Sequence, residues 1–259
     1  MQYGYRILER HPLGDPSRKA GKLTNSTMME HEKHPTEERL IHFEEIERLL
    51  DVMYGPRLLA PNNDPVSGLV GTILSQNTSD VNTNRSFASL REAFPTWQEV
   101  IDADTADVRD AIQMGGLSNI KAPRIQAALQ SIIDRYGELD LGFLHEMSLD
   151  EAMTWLTNLE GVGPKTAACV LLFSLGMPAM PVDTHVARVM TRLDVLPGKT
   201  STITRQQILE SLIGPDANRV YAVHVETIAH GREICKARRP LCDKCELTTL
   251  CRYYQENYP

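Results

Sequence analysis

Three observations place this chain in the all-α class. Strand signals are scarce along its 259 residues, while apolar residues at helical spacing recur between cap and stop residues. A hydrophobic content of 42% is enough for one large core or two smaller ones. No run of eighteen apolar residues occurs, so no membrane-spanning helix is expected and the chain reads as soluble.

The elements follow in chain order. Leu40, Phe43, Leu50 and Met53 repeat at helical spacing and stop at Gly55-Pro56, giving a helix near Thr36 to Tyr54. Ser148 with Glu151 forms a capping box that starts a helix patterned from Leu149 to Leu159. Gly161 and Gly163 flank Val162, and the pattern resumes from Ala167 to Leu175, so the turn is a hairpin between two helices. Gly163 followed by Pro164 fits an N-cap with proline at the first helical position. Gly176 stops the second helix, and Pro178 and Pro181 force an extended return to Asp183, which caps a third helix from Thr184 to Leu193. Met1 to about Pro35 is polar and aperiodic, and is expected to be disordered or loosely attached. Met1 to Arg10 lacks an apolar core long enough for a secretory leader.

The hairpin unit carries chemistry. Its glycines let backbone approach a ligand closely, and the amides opening the second helix suit an anion such as phosphate. Lys165 falls in that helix's first turn, where a cation opposes the helix dipole at about 0.3–1 kcal/mol. An isolated lysine is usually just a surface charge; here a rigidly placed carboxylate, Asp183, follows within the same unit. The run from Leu159 through His185, L-x-G-V-G hairpin, helix and a Gly/Pro-rich loop ending in V-D-T-H, resembles the helix-hairpin-helix DNA glycosylase superfamily. The resemblance implies that Lys165 and Asp183 are catalytic and that Gly161, Val162 and Gly163 grip the DNA backbone.

Five cysteines are present, and Cys235, Cys242, Cys245 and Cys251 lie within seventeen residues as C-x6-C-x2-C-x5-C. Four thiols so close share a metal or pair with one another, and spacing alone leaves disulfides, zinc and a [4Fe-4S] cluster open. Behind a V-D-T-H element, this spacing resembles the iron–sulfur branch typified by endonuclease III, which implies a [4Fe-4S] cluster on the four cysteines. Lys236, Arg238 and Arg239, between the first two ligands, suit phosphate contacts. Cys169 reads as core. His185, His224 and His230 are assigned structural roles. Two helical lobes with a groove between them are implied: a six-helix barrel-like domain over 56–177, and a cluster domain combining 36–55 with 178–259.

Net charge is −7, an awkward balance for gripping a polyanion. Distribution matters more than the sum. Between Arg232 and Arg252 six basic residues face three acidic ones, a net +3, leaving −10 for the remainder. Acid concentrates in Glu30 to Asp51 and Glu92 to Asp110, which are expected to face away from DNA.

An enzyme working on a base inside duplex DNA must flip it out and fill the gap. Leu74 to Asp80, L-S-Q-N-T-S-D, resembles the superfamily's L-S-x-Q-x-x-D element, in which a glutamine enters the vacated space; Asn77 holds that position and Gln76 lies one residue earlier. In Gly115-Gly116-Leu117-Ser118, Leu117 resembles the apolar wedge against the opposite strand, with Ser118 beside it where an aromatic is usual and as an N-cap candidate. The bland alternatives are a helix terminus capped by Ser79 and a core leucine.

The implied function is a bifunctional DNA glycosylase and abasic-site lyase of base excision repair, acting on oxidised pyrimidines in double-stranded DNA by a lysine Schiff base and β-elimination. A non-enzymatic hairpin DNA-binding protein and a monofunctional mismatch glycosylase are the alternatives. A monomer is expected, cytoplasmic and on the nucleoid if the source is prokaryotic. An ordinary lysine is neutral in only about one molecule in a few thousand at pH 7, so desolvation in a closed groove must assist attack. An ionised Asp183 would raise the lysine pKa, so its expected role is to stabilise positive charge developing on the sugar.

Overall fold

The computed structural model describes residues 35–258. The extension expected over 1–35 lies, apart from Pro35, outside the described residues. Twelve α-helices and no strands occur among the described residues, and most helix starts have a local cause. Helix α1, Glu37–Tyr54, starts where the Thr36 side chain accepts from Arg39 N–H and stops at Gly55. Asp64 and Pro65 open α2, Pro65–Leu74, and Ser79 caps α3, Asp80–Ala93. The short α4, Trp97–Asp102, has a Thr96/Glu99 capping box, and Asp104 caps α5, Thr105–Ala111. Helix α6, Ser118–Tyr136, ends at left-handed Gly137. The Ser148/Glu151 capping box starts α7, Leu149–Thr157, and Pro164 is the first residue of α8, Pro164–Leu175. Then come α9, Thr184–Arg192, α10, Thr202–Ile213, α11, Ala217–Glu233, and α12, Arg252–Asn257.

Three expected boundaries move, one of them by a single residue: the helix expected from Thr184 to Leu193 ends at Arg192. The helix patterned to Leu159 ends at Thr157. Ser118 is the first helical residue of α6, not its cap; Leu117 is the cap, in left-handed backbone without a side-chain capping bond. The apolar pattern locates a helix but does not resolve which residue bends the chain into it.

The buried side chains form two apolar clusters. One gathers Leu69 and Ile73 of α2, Leu90 of α3, Ile125 and Leu129 of α6, Leu156 of α7 and Leu171 of α8. The other gathers Phe43, Ile46 and Leu50 of α1 with Leu172, Val186, Met190, Leu209, Val220 and Val223. Helix α8 belongs to both, and its residues from Thr166 to Leu172 are all buried, as expected of a helix that is apolar all round. Each fully buried leucine contributes about 1.5–3 kcal/mol. Helix α1 is tied into the second cluster by the two-pronged Arg219–Glu47 pair, both contacts 2.7 Å, and by His42 Nε2–H donating to Leu193 O at 2.8 Å. Lys165 therefore sits at the N-terminal end of a helix anchored in the first cluster and joined to the second through Leu172.

Candidate active site

The hairpin enters α8 through a turn that only glycine makes easily. Gly161 has φ 77° and packs so tightly that a Cβ there would lie 2.3 Å from Arg124 Cγ. Val162 is buried in the first cluster, which pins the turn from below. Gly163 caps α8 with extended backbone and no side-chain capping bond, leaving the first amides free for a ligand.

Lys165 and Cys169, one turn apart on α8, line a cleft of about 1490 Å³ together with Asp183, Thr184 and His185 from the start of α9. Asp183 Oδ1 accepts from Val186 N–H at 2.7 Å, so the capping bond fixes the carboxylate's position and leaves Oδ2 outside that bond. Asn62, Asp64, Gln76, Asn77, Asp80, Arg205 and Arg232 line the same cleft. His224 also lines the cleft; its Nδ1–H donates to Pro181 O at 2.9 Å, and burial pushes its pKa down to about 4, Asp183 and Lys165 pulling in opposite directions. Cys169 is buried, as read from sequence, but its thiol belongs to the cleft wall: burial raises its pKa and the nearby Lys165 ammonium opposes the rise.

Of the remaining expected residues, two line this cleft and the others do not. Gln76 and Asn77 line it, but Gln76 Oε1 accepts from Arg124 Nη1 at 2.9 Å, while Asn77 is exposed at φ 54°. Leu117 is 48% exposed at φ 52°, beside exposed Met114 and Ile120, and it and half-buried Ser118 do not line the cleft. Nor do Gly161, Val162, Gly163, Lys236, Arg238 or Arg239, the last three being exposed. No described acid of 37–51 or 92–110 lines it. Sequence reasoning passed over Lys121 and Arg124 of α6 as well as Arg205, and counted Arg232 only as part of the basic C-terminal segment. The available signal was Lys121 falling in helical register with Ile125, Ala128 and Ile132 on an apolar face.

The four C-terminal thiols are free and line one small cavity of about 20 Å³, walled by Val189, Leu193, Ile234, Tyr253 and Tyr254. Among the described residues no set of three or more His, Cys, Asp or Glu side chains already stands at metal-binding geometry. Burial raises the pKa of Cys242, Cys245 and Cys251, Cys245 to about 11, and neighbouring thiols add to the rise. Four such sulfurs in apolar surroundings need a cation to hold them as thiolates. Helix α9 braces this loop: Arg188 Nε donates to Cys235 O at 3.0 Å, and Arg192 Nη1 to Lys236 O at 2.8 Å and Cys235 Sγ at 3.2 Å. The helix capped by Asp183 thus also carries the cysteine loop.

An all-helical fold in which a glycine hairpin leads into a helix whose lysine shares one cleft with a helix-capping aspartate defines a class of DNA repair proteins, and comparison with known proteins makes it specific. Residues 70–215 match the HhH-GPD superfamily of base excision DNA repair proteins, and the chain belongs to that superfamily. It is 35% identical over 191 residues to Endonuclease III of Sulfolobus acidocaldarius, covering 73% of this chain and 82% of that one. It is 33% identical over 196 residues to Endonuclease III of Thermotoga maritima, covering 74% and 84%. A plant relative, from Arabidopsis thaliana and provisionally named a DNA glycosylase, is 42% identical over 132 residues, and the match spans 51% of this chain but only 45% of that longer one. The fold matches a solved non-covalent endonuclease III–DNA complex with TM-score 0.71 and 28% identity, over 84% of this chain and 97% of the other. The chain is a DNA glycosylase of base excision repair with the endonuclease III fold. No helix among the described residues is long and apolar enough to cross a membrane.

Proposed function

We propose that this glycosylase is bifunctional: it releases oxidised pyrimidines from duplex DNA and then cuts the strand as an abasic-site lyase. The observation that carries the proposal is that Lys165 and Asp183, from different helices, face one cleft. Neutral Lys165 attacks the sugar C1′; the N–C1′ bond forms as the bond to the base breaks, and the base leaves with a proton. Asp183 stabilises the positive charge that develops on the sugar. Ring opening gives a Schiff base with Lys165, loss of a C2′ proton expels the 3′-phosphate, and water then frees the lysine.

The contacts follow from exposure. With the Gln76 amide engaged by Arg124, Asn77 is the residue that fills the space left by the flipped base, and Leu117 wedges the opposite strand with Ser118 beside it. The hairpin of Gly161, Val162 and Gly163, whose Val162 N–H is already given to Leu159 O, presents the uncapped amides that open α8, and these with Lys236, Arg238 and Arg239 hold phosphates. Cys235, Cys242, Cys245 and Cys251 suit a [4Fe-4S] cluster, since four soft donors line one small cavity whose walls hold no carboxylate. When bound, that group supplies cross-links that fix the basic loop rather than reaction chemistry. The two apolar clusters support a division into 36–55 with 178–259 and 56–177.

Incubation with a thymine-glycol duplex, scored separately for free base and strand cleavage and with borohydride added in parallel, tests the reading. Base release, cleavage and a borohydride-trapped adduct lost in Lys165→Gln are expected. Base release without cleavage or adduct marks a monofunctional enzyme; binding with neither product marks a docking protein.

A further inference from the structure

Lys121 is one of the most deeply buried side chains of the protein, 1% exposed, although it is a lysine. It sits in the first turn of α6, on the face that packs Ile125, Ala128 and Ile132 into the first apolar cluster. Its Nζ donates to Leu74 O at 2.7 Å and to Gly115 O at 2.9 Å. Leu74 is the last residue of α2 and leads directly into Ser75, Gln76 and Asn77. Gly115 ends a short 3-10 turn and leads into Gly116 and Leu117. The two carbonyls are far apart in sequence and belong to the two loops that carry Asn77 and Leu117.

Several details single out this contact. A carbonyl at the end of α2 lacks a partner within its own helix, and a cation there also opposes the negative end of the helix dipole. Gly115 is packed against α3: a Cβ there would lie 2.7 Å from Ser86 Oγ, so the loop that offers the carbonyl is seated closely on that helix. Arg124, one turn along α6, reaches the same region, donating to Gln76 Oε1 and covering Gly161 of the hairpin. A core position filled only for stability would take an apolar residue, because burying an ammonium costs free energy; burial does lower the Lys121 pKa. A long stem ending in several donors is what two converging carbonyls require.

We propose that Lys121 is a positioning residue that locks the Asn77 loop and the Leu117 loop in one register, so that both side chains enter the duplex together. The proposal rests on the reading of these loops as the ones that open DNA. Asn77 and Leu117 both hold left-handed backbone, φ 54° and 52°, a conformation that surrounding contacts must maintain. The Lys121 ammonium is the group that touches the backbone of both loops.

The test uses the full chain and a duplex carrying a stable tetrahydrofuran abasic analogue opposite 2-aminopurine. The fluorescence rise of 2-aminopurine reports unstacking without any chemistry at Lys165. Lys121→Met is expected to lose more than half of the rise at saturating protein, while affinity for undamaged duplex stays near that of the wild type. Lys121→Arg, which keeps a buried cation with several donors, is expected to restore much of the rise. A folded Lys121→Met with the wild-type rise overturns the proposal, as does equal loss in the Met and Arg variants. Should Lys121→Met fail to fold, Lys121→Gln is measured against the same two outcomes. A wild-type protein that unstacks 2-aminopurine yet yields no borohydride adduct on an abasic duplex overturns the lyase reading and supports the role of Lys121. One that binds the duplex without unstacking overturns the positioning role.

Discussion

Gly161→Ala isolates the physical demand of the hairpin. Gly161 has φ 77°, and the added methyl would lie 2.3 Å from Arg124 Cγ and 2.8 Å from Arg124 Cδ. Holding an L-residue in left-handed backbone costs about 1–2 kcal/mol. Arg124 is flexible enough to swing aside, but doing so gives up its 2.9 Å bond to Gln76, worth about 0.5–1.5 kcal/mol. The expected loss is therefore about 1.5–3.5 kcal/mol, read from urea unfolding as a lower midpoint at unchanged slope. In an Arg124→Ala background the three atoms nearest the methyl are gone, and the backbone cost of about 1–2 kcal/mol is the main one that remains. The double-mutant cycle should thus show a coupling of about 1 kcal/mol between Gly161 and Arg124. A Gly161→Ala protein within about 0.5 kcal/mol of wild type would refute the reasoning about the turn. Coupling indistinguishable from zero would refute the role given to Arg124.

Further expectations concern the cleft and the interior. Asp183→Asn keeps a side chain that caps α9, so unfolding stability should stay within about 0.5 kcal/mol of wild type, while base release falls at least about a hundredfold; equal losses in both would reduce Asp183 to a cap. Glu226 is buried with Oε1 unpartnered, and burial pushes its pKa up to about 7. Its contribution is present below an unfolded pKa of about 4.3 and is lost as pH rises through 7, whereas that of His224, pushed down to about 4, is present above about 6.5 and lost as pH falls. The two slopes oppose each other in between, so Glu226→Gln should unmask a stability that rises with pH and should exceed wild type near pH 8. Urea titrations at acid, neutral and mildly alkaline pH decide this, and identical profiles would count against it. Cys242→Ser should lower bound iron and sulfide and weaken duplex binding more than Cys169→Ser; retained iron would show that Cys242 is not a ligand.

Helix ends were legible because they depend on a few neighbouring residues. Thr36, Ser79, the Ser148/Glu151 pair, Gly163-Pro164, Gly176 and Asp183 each act where their residue types suggest. Leu117 was not legible as an N-cap, because left-handed backbone at a leucine goes against its intrinsic preference and is held by tertiary contacts. Cys169 read as core because burial and membership of a cleft wall leave the same apolar pattern in sequence.

The sequence by itself determined the all-helical class, the hairpin with Lys165 and Asp183, and the four clustered cysteines, all matters of spacing and local hydrogen bonding. Tertiary structure alone decided that Gln76 is engaged and Asn77 exposed, that Lys121 joins two loops, and that α9 braces the cysteine loop. Those outcomes rest on contacts such as Arg124 to Gln76 and Arg192 to Cys235, between residues 48 and 43 positions apart. No local propensity encodes such pairs; they exist only once the apolar clusters have packed and brought the backbones together.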